Sequence, residues 1–318
     1  MSQTRRAVID VGTNSVKLLV ADIQGRDVQP VSEDSIQTRL GQGFYETHRL
    51  QAKPIAKTAD AVRTFAQKAH ELKAGAIRVI ATSAARDAIN PDELISAIES
   101  AAKLKVEIIS GEKEAEWAFQ GVTTDHALAG EPLLLLDVGG GSTEFILGQG
   151  ERKHFQESFP LGTVRLMEKV PHSDPPRSEE LTECRAWLSR FLETEVQPKL
   201  APRMNWENEV HSAKTGLRLV GTGGTASILA RMELQIDNFD RARIEGARLR
   251  LEHVRRRVQH LWSVPLADRE KIIGLPPKRA DVILTGAAIF EAVMEQFGFS
   301  ELRVSTRGLR FAAVMDGA

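Results

Sequence analysis

Two stretches of the chain place a short polar loop between apolar runs: RAVIDVGTNSVKLLVADI at 6–23 and PLLLLDVGGGSTEFILGQ at 132–149. Each predicts a strand, a tight turn and a second strand, because the apolar runs are strand-sized and bounded by Gly, Asn and Ser. Asp10, Val11, Gly12 and Ser15 recur at a constant offset as Asp137, Val138, Gly139 and Ser142, so the chain reads as two halves of similar design. After the first hairpin, Ile55, Ala59, Val62, Ala66, Ala69 and Leu72 share one face of a predicted helix over 53–73. A strand at 77–82, a helix after Pro91, a strand at 106–109 and a helix at 112–120 follow. In the second half a Pro-rich connector at 171–180 leads into a helix with Ser178 as candidate N-cap, and 217–233 reads as strand, Gly-rich turn and helix. Then come a helix at 252–262, a short helix stopped around Gly274 and Pro276, a helix at 279–297 and a strand at 301–305. This alternation predicts an α/β protein. The boundary falls between Thr124 and Gly130, giving an N-terminal domain over 1–124 and a C-terminal domain over 125–318, with the last helix free to pack back on the N-terminal domain.

Composition narrows the partners. With 42 Lys and Arg against 43 Asp and Glu, the formal net charge is −1, so no whole-molecule field points to nucleic acid or to an acidic membrane surface. An anion site must therefore be local. The single cysteine, Cys184, excludes an internal disulfide and favours a cytoplasmic setting. No stretch approaches the ~20 apolar residues that span a bilayer, and Asp10 and Asn14 interrupt the apolar run that an export signal would need.

The loops carry the candidate chemistry. DVGTNS alone reads as an ordinary hairpin turn, but with its copy DVGGGS it offers two sets of backbone amides, together with the Thr13, Ser15, Ser142 and Thr143 hydroxyls, to one anion. VGTGGTAS at 220–227, with Gly223 at its centre, adds a third such turn, now opening a helix, where free amides and the helix dipole favour phosphate. Its Gly221, Gly223 and Ala226 also satisfy GxGxxA, a weak dinucleotide signal that the following residues do not support with a βαβ unit. Asp10, Asp137 and Glu144 flank the first two loops. Three acids beside an anion would repel it, and a hard divalent cation such as Mg2+ resolves the conflict. Arg86 follows a strand end, where open α/β sheets bind ligands. The acids at the start of the 112–120 helix, including Glu114, read on their own as dipole partners. No HExxH, GxSxG or Gly-Lys pair is present, which argues against a histidine zinc site, a serine nucleophile elbow and a Walker A loop.

Taken in order, IDVGTNSVKLLV, ATSAARDAIN, IISGEKEAEWAFQGV, LLLLDVGGGSTEFILG, FPLGTVRL, LVGTGGTAS, GLPPKRADVILTGAAI and VSTRGLR resemble the exopolyphosphatase and guanosine pentaphosphatase (Ppx/GppA) family over about residues 6 to 311. The resemblance implies a duplicated, ribonuclease H-like fold of the actin, hexokinase and Hsp70 type with an interdomain cleft. It also implies Mg2+-dependent hydrolysis of a terminal phosphoryl group of inorganic polyphosphate or of pppGpp. Carried over by position, the family's catalytic glutamate falls on Glu114 and its acid pair on Asp137 and Glu144, with Asp10 assisting at the metal. Its phosphate-binding positions fall on Gly12, Thr13, Asn14, Ser15, Arg39, Arg86, Gly139, Gly140, Gly141, Ser142 and Thr143, to which the reading of the third turn adds Gly223. Two local departures stand out: Lys113 replaces an acid beside Glu114, and Phe311 replaces the glutamate of the family's GLRE. Longer relatives also carry C-terminal helical domains, which bears on processivity.

Exopolyphosphatase activity is accordingly the expected function. Hydrolysis of pppGpp to ppGpp is the nearest alternative, since no guanine-reading motif decides between them. A noncatalytic polyphosphate or alarmone sensor and a sugar kinase of the same fold are rivals of other classes. A homodimer is compatible with the sequence.

Overall fold

A computed structural model describes residues 4–210 and 216–316, and the chain separates into two compact units, one of residues 1–125 with 307–318 and one of residues 126–306. Unit 1 begins with β1 (Thr4–Val11), β2 (Ser15–Gln24) and β3 (Asp27–Gln37). It continues through α1 (Ala52–Glu71), β4 (Ala76–Ala81), the one-turn α2 (Ser83–Arg86), α3 (Pro91–Ala102), β5 (Val106–Ile108) and α4 (Gly111–Val122). Its sheet runs β3-β2-β1-β4-β5, with β2 antiparallel to both neighbours and β1, β4 and β5 parallel.

Unit 2 opens with the meander β6 (Pro132–Val138), β7 (Thr143–Gln149) and β8 (Arg152–Phe159). Next come α5 (Thr163–Lys169), α6 (Ser178–Phe191) and α7 (Gln197–Val210), the last two joined through a π-helical turn at Leu192–Val196. β9 (Arg218–Thr222) leads directly into α8 (Gly223–Leu234), followed by α9 (Arg241–Ile244), β10 (Arg248–Arg250), α10 (Leu251–Leu261) and α11 (Leu266–Arg269). A 3-10 turn at Pro277–Arg279 precedes α12 (Ile283–Gln296) and β11 (Glu301–Val304). α13 (Leu309–Met315) belongs to unit 1. The second sheet runs β10-β11-β9-β6-β7-β8. Apart from the added β10, it repeats the order and strand directions of the first. Both units thus have the ribonuclease H-like order whose duplication defines the actin, hexokinase and Hsp70 type of fold.

Burial explains why Ala7 to Ile9 of β1 and Leu133 to Leu136 of β6 are apolar runs. On one face of the unit 1 sheet, Ile9, Val11 and Leu18 pack with Ile55, Val62 and Phe65 of α1; on the other, Val8, Leu19 and Ile80 pack with Trp117 of α4 and with Phe311 and Val314 of α13. A strand covered on both faces has no polar side to show. Leu133 to Leu136 of β6 are likewise fully buried.

Three local expectations need correction. Ser178 is the first residue of α6, not its cap; Arg177 holds the N-cap position, and the Glu180 carboxylate accepts from the Arg177 N–H at 2.7 Å and from the Ser173 hydroxyl at 2.8 Å. The helix expected to stop near Gly274 ends at Arg269, and α12 begins at Ile283, because residues 277–279 form a 3-10 turn that starts on Pro277.

Candidate active site

In unit 1 the first loop is a turn closed by the Gly12 N–H donating to the Ser15 carbonyl at 3.0 Å. Its remaining backbone is tied to residues 38–41: Thr38 and Arg39 N–H groups donate to the Asn14 carbonyl at 3.1 and 3.0 Å, and Gly41 N–H to the Thr13 carbonyl at 2.7 Å. Arg39 therefore does stand beside the loop, with an exposed side chain and a left-handed backbone at φ 56°. Asp10 Oδ1, Asn14 Nδ2 and Ser15 Oγ are buried without a hydrogen-bond partner in the chain. Each such group costs roughly 1–3 kcal/mol if left unsatisfied, which fits a loop shaped to meet a polar ligand. Burial pushes the Asp10 carboxyl above the usual carboxylate range, against the pull of Lys17 and Arg310. Lys17 lies directly opposite Asp10 across the β1–β2 ladder.

Arg86 and Glu114 meet in the same unit. The turn α2, entered directly from β4, carries Arg86, and Ser110 caps α4 by accepting from the Lys113 N–H, which sets Glu114 on the first turn of that helix. Arg86 Nη1 donates to Glu114 Oε2 at 3.0 Å and to the Ile109 carbonyl at 3.1 Å. Glu114 is only 8% exposed, so the pair is held in a poorly solvated place. Lys113 is directed elsewhere: its ammonium lies 3.2 Å from Glu116, 3.8 Å from Asp316 and 4.9 Å from the centre of the Trp117 ring. The charge change that this lysine brings to the motif is thus engaged by other acids.

Unit 2 repeats the turn, with the Gly139 N–H donating to the Ser142 carbonyl at 2.9 Å. The carbonyls of Gly139 and Gly140 accept from Thr163 and Val164 N–H groups at 3.0 and 2.8 Å, and that of Gly141 from Arg165 Nε at 2.7 Å. The oxygens that would repel an anion are thereby engaged by donors. Gly162 makes this fit: a Cβ there would lie 2.5 Å from the backbone of Gly140 and Gly141. The Thr143 hydroxyl, by contrast, donates to the Leu161 carbonyl within the core, so its observed role is packing the loop's base.

Asp137 and Glu144 are directly opposed in the β6–β7 register, hence on one face of the sheet. Glu144 is 1% exposed and accepts from the Ser158 hydroxyl at 2.7 Å. Asp137 Oδ1 leans onto α8, where a Cβ on Gly223 would come within 2.4 Å of it and where Gly223 adopts φ 85°. The third Gly-rich turn therefore makes room for the Asp137 carboxylate as well as opening a helix. Two carboxylates facing each other, Glu144 nearly without solvent and Asp137 half-buried, are unfavourable unless a cation or proton joins them. That donor set suits a hard divalent ion, which uses one or two carboxylates and completes its shell with water and phosphate oxygens. Among the described residues no group of three or more His, Cys, Asp or Glu forms a ready-made metal cage; His211 lies outside them. Cys184 is buried, its thiol pushed up to about 12 by burial, and acts as core.

The profile of the Ppx/GppA phosphatase family matches residues 19–316. The chain belongs to that family. It is 34% identical over 321 residues to "Exopolyphosphatase 2" of Mycobacterium tuberculosis, covering 96% of each chain. It is 28% identical over 308 residues to the "Guanosine-5'-triphosphate,3'-diphosphate pyrophosphatase" of Aeromonas hydrophila, covering 96% of this chain and 57% of that protein. Among solved structures, the Ppx/GppA family member of Aquifex aeolicus superposes with a TM-score of 0.77 at 29% identity, covering 99% of this chain and 97% of that one.

Within this Ppx/GppA framework the Phe311 departure has a physical reason: the side chain is 1% exposed in the unit 1 core beside Trp117. A glutamate there would be buried among apolar groups. Three groups at the site carried no signal strong enough to be singled out from sequence. Lys17 sits at the copy of the Glu144 position, visible once the two hairpins are aligned over their full length. Ser158 lies on β8, which lacks an apolar pattern. Arg165 follows FPLGTV, a segment whose role emerges only from its contacts with the second loop. Among the described residues no helix is long and apolar enough to cross a membrane.

Proposed function

We propose that this Ppx/GppA protein is an exopolyphosphatase that hydrolyses the terminal phosphoanhydride of inorganic polyphosphate with Mg2+. The observation that carries the reading is the opposed Asp137–Glu144 pair beside a loop whose carbonyls are already engaged. Asp137 and Glu144 would hold the ion, and Mg2+, when bound, neutralises charge on the phosphoryl oxygens. In this scheme Glu114 orients a water and accepts its proton as the water oxygen attacks phosphorus and the bridging P–O bond breaks. The Arg86 contact at 3.0 Å fixes the carboxylate for that role. A guanidinium has five N–H donors. Nη1 serves Ile109 and Glu114, so Arg86 can keep both contacts while turning its other donors to a nonreacting phosphate. Asn14 Nδ2 and the Ser15 hydroxyl, which have no hydrogen-bond partner in the chain, and the amides of each Gly-rich turn would be the donors offered to phosphate.

Polyphosphate is preferred as substrate because the relative of 34% identity, matched over nearly its whole length, is named an exopolyphosphatase. Hydrolysis of pppGpp is the second reading, supported by the guanosine pyrophosphatase relative at 28% identity. Phosphate release should be measured side by side on short polyphosphate, long polyphosphate and pppGpp, with a Mg2+ titration. The highest kcat/KM is expected on a polyphosphate and dependent on Mg2+. A higher value on pppGpp would replace this reading with the second one, and turnover unaffected by chelation would remove the cation from it.

A further inference from the structure

We propose that Lys17 is the built-in cation of the first hairpin, so that the chain binds one divalent ion, on Asp137 and Glu144, and none on Asp10. The inference rests on the reading that the Asp137–Glu144 pair holds the cation, and it departs from the expectation that Asp10 joins that pair. The two hairpins are copies down to the turn, each closed by a glycine N–H donating to a serine carbonyl, at 3.0 Å in one and 2.9 Å in the other. Asp10 and Asp137 occupy the same place on the first strand. The residue directly across the ladder is Lys17 in the first hairpin and Glu144 in the second.

Residues so opposed have Cβ atoms about 4.5–5.5 Å apart and share one face. In the second hairpin this juxtaposes two negative charges, and a divalent ion relieves the repulsion between them. In the first hairpin the opposed residue is a lysine, whose positive charge acts on the Asp10 carboxyl against the cost of its burial. A divalent ion placed there would gain one carboxylate and meet the like charge of the opposed lysine, in surroundings that screen the repulsion weakly. A second fixed positive charge acts on Asp10 from Arg310, whose guanidinium donates to the Leu18 carbonyl at 2.6 Å and pairs with Glu33 at 3.4 Å. Glu33 balances that guanidinium, and Lys17 is the charged group that the ladder sets opposite Asp10. The duplication has thus diverged into one hairpin whose positive charge is covalent and one whose positive charge is recruited from solution. A practical consequence is that anion binding by the first loop does not depend on metal concentration.

Manganese binding to the full chain tests this without reference to turnover. Mn2+ would be titrated by electron paramagnetic resonance and calorimetry into the wild type and into Asp10→Asn, Glu144→Lys and Lys17→Glu, with circular dichroism checking each fold. The wild type and Asp10→Asn should each bind one ion, Glu144→Lys none and Lys17→Glu two. A second wild-type site lost in Asp10→Asn would overturn the proposal, as would a folded Lys17→Glu chain that still binds one. If Lys17→Glu fails to fold, Asp10→Asn decides: retained binding supports the proposal and lost binding overturns it. Loss in both Glu144→Lys and Asp10→Asn would leave the cation reading intact while removing this inference. No Mn2+ binding, or binding indifferent to Glu144→Lys, would remove both.

Discussion

Asp10 and Asp137 end equivalent strands, yet their neighbours give them different chemistry: a lysine faces the first and a glutamate the second. Burial of Asp10 outweighs the attraction of Lys17 and Arg310, and its carboxyl is held above the ordinary range. The folded state therefore favours the protonated form. That contribution to stability is fully present below the ordinary carboxylate range and is lost as pH rises through the raised folded-state value. Asp10→Asn, which cannot ionise, escapes the loss. Its melting temperature relative to wild type should rise between about pH 4 and pH 7, measured by thermal unfolding in matched buffers; a difference that falls over this interval would contradict the account. At this scale much was legible in sequence. Asp137, Glu144 and the glycines between them stand out because acids and glycines interrupt a strand that is otherwise wholly apolar. The Arg86–Glu114 contact was not legible, since 27 residues of chain lie between them and each alone resembles an ordinary helix-end charge.

At the scale of elements, the second loop owes its shape to the segment that enters α5. Gly162 lies so close to Gly140 and Gly141 that any side chain must displace backbone, which has no flexible end to give way. Gly162→Ala should destabilise the protein by about 1–3 kcal/mol and weaken divalent-ion binding; denaturant unfolding and metal titration of the variant check both. Unchanged values for both would mean that the loop is set by its own sequence. Elements with a buried apolar face were read within a few residues of their observed ends: α1 was expected at 53–73 and runs Ala52–Glu71, and β4 was expected at 77–82 and runs Ala76–Ala81. Among the elements that escaped notice, which also include α5, α7, α9 and β10, β3 and β8 are strands with few fully buried residues, DVQPVSEDSIQ and RKHFQESF. β3 and β8 are sheet edges, where polar side chains discourage pairing with another chain and also erase the alternation that betrays a strand. Ser178 was misplaced for a related reason: composition marks a cap region but does not choose between adjacent residues when a glutamate supplies the hydrogen bonds.

At the scale of the whole molecule, the duplicated sheet order and the family match agree that the chain is a Ppx/GppA protein of the duplicated α/β type. The constant offset of the two hairpins foretold that duplication. The expectation that the last helix is free to pack back on the N-terminal domain matches its place, since residues 307–318 complete unit 1, although a seven-residue helix gives no local indication of which face it covers. Phe311 of that helix is buried against Val8, Leu19 and Trp117. Phe311→Ala should cost about 3–5 kcal/mol, read from denaturant unfolding, and a loss below ~1 kcal/mol would mean that α13 contributes little to unit 1. The departure from GLRE is then a core residue in its own right.

The most direct test of the central claim is phosphate release from polyphosphate by Glu114→Gln, paired with its affinity for the same polyphosphate. The amide keeps the size of the side chain and can still accept from Arg86 through its oxygen, but it cannot take a proton from water. The proposed mechanism predicts turnover lower by about 10²–10⁴-fold, the usual worth of a general base, with binding retained. Wild-type phosphate release by the folded variant would contradict it.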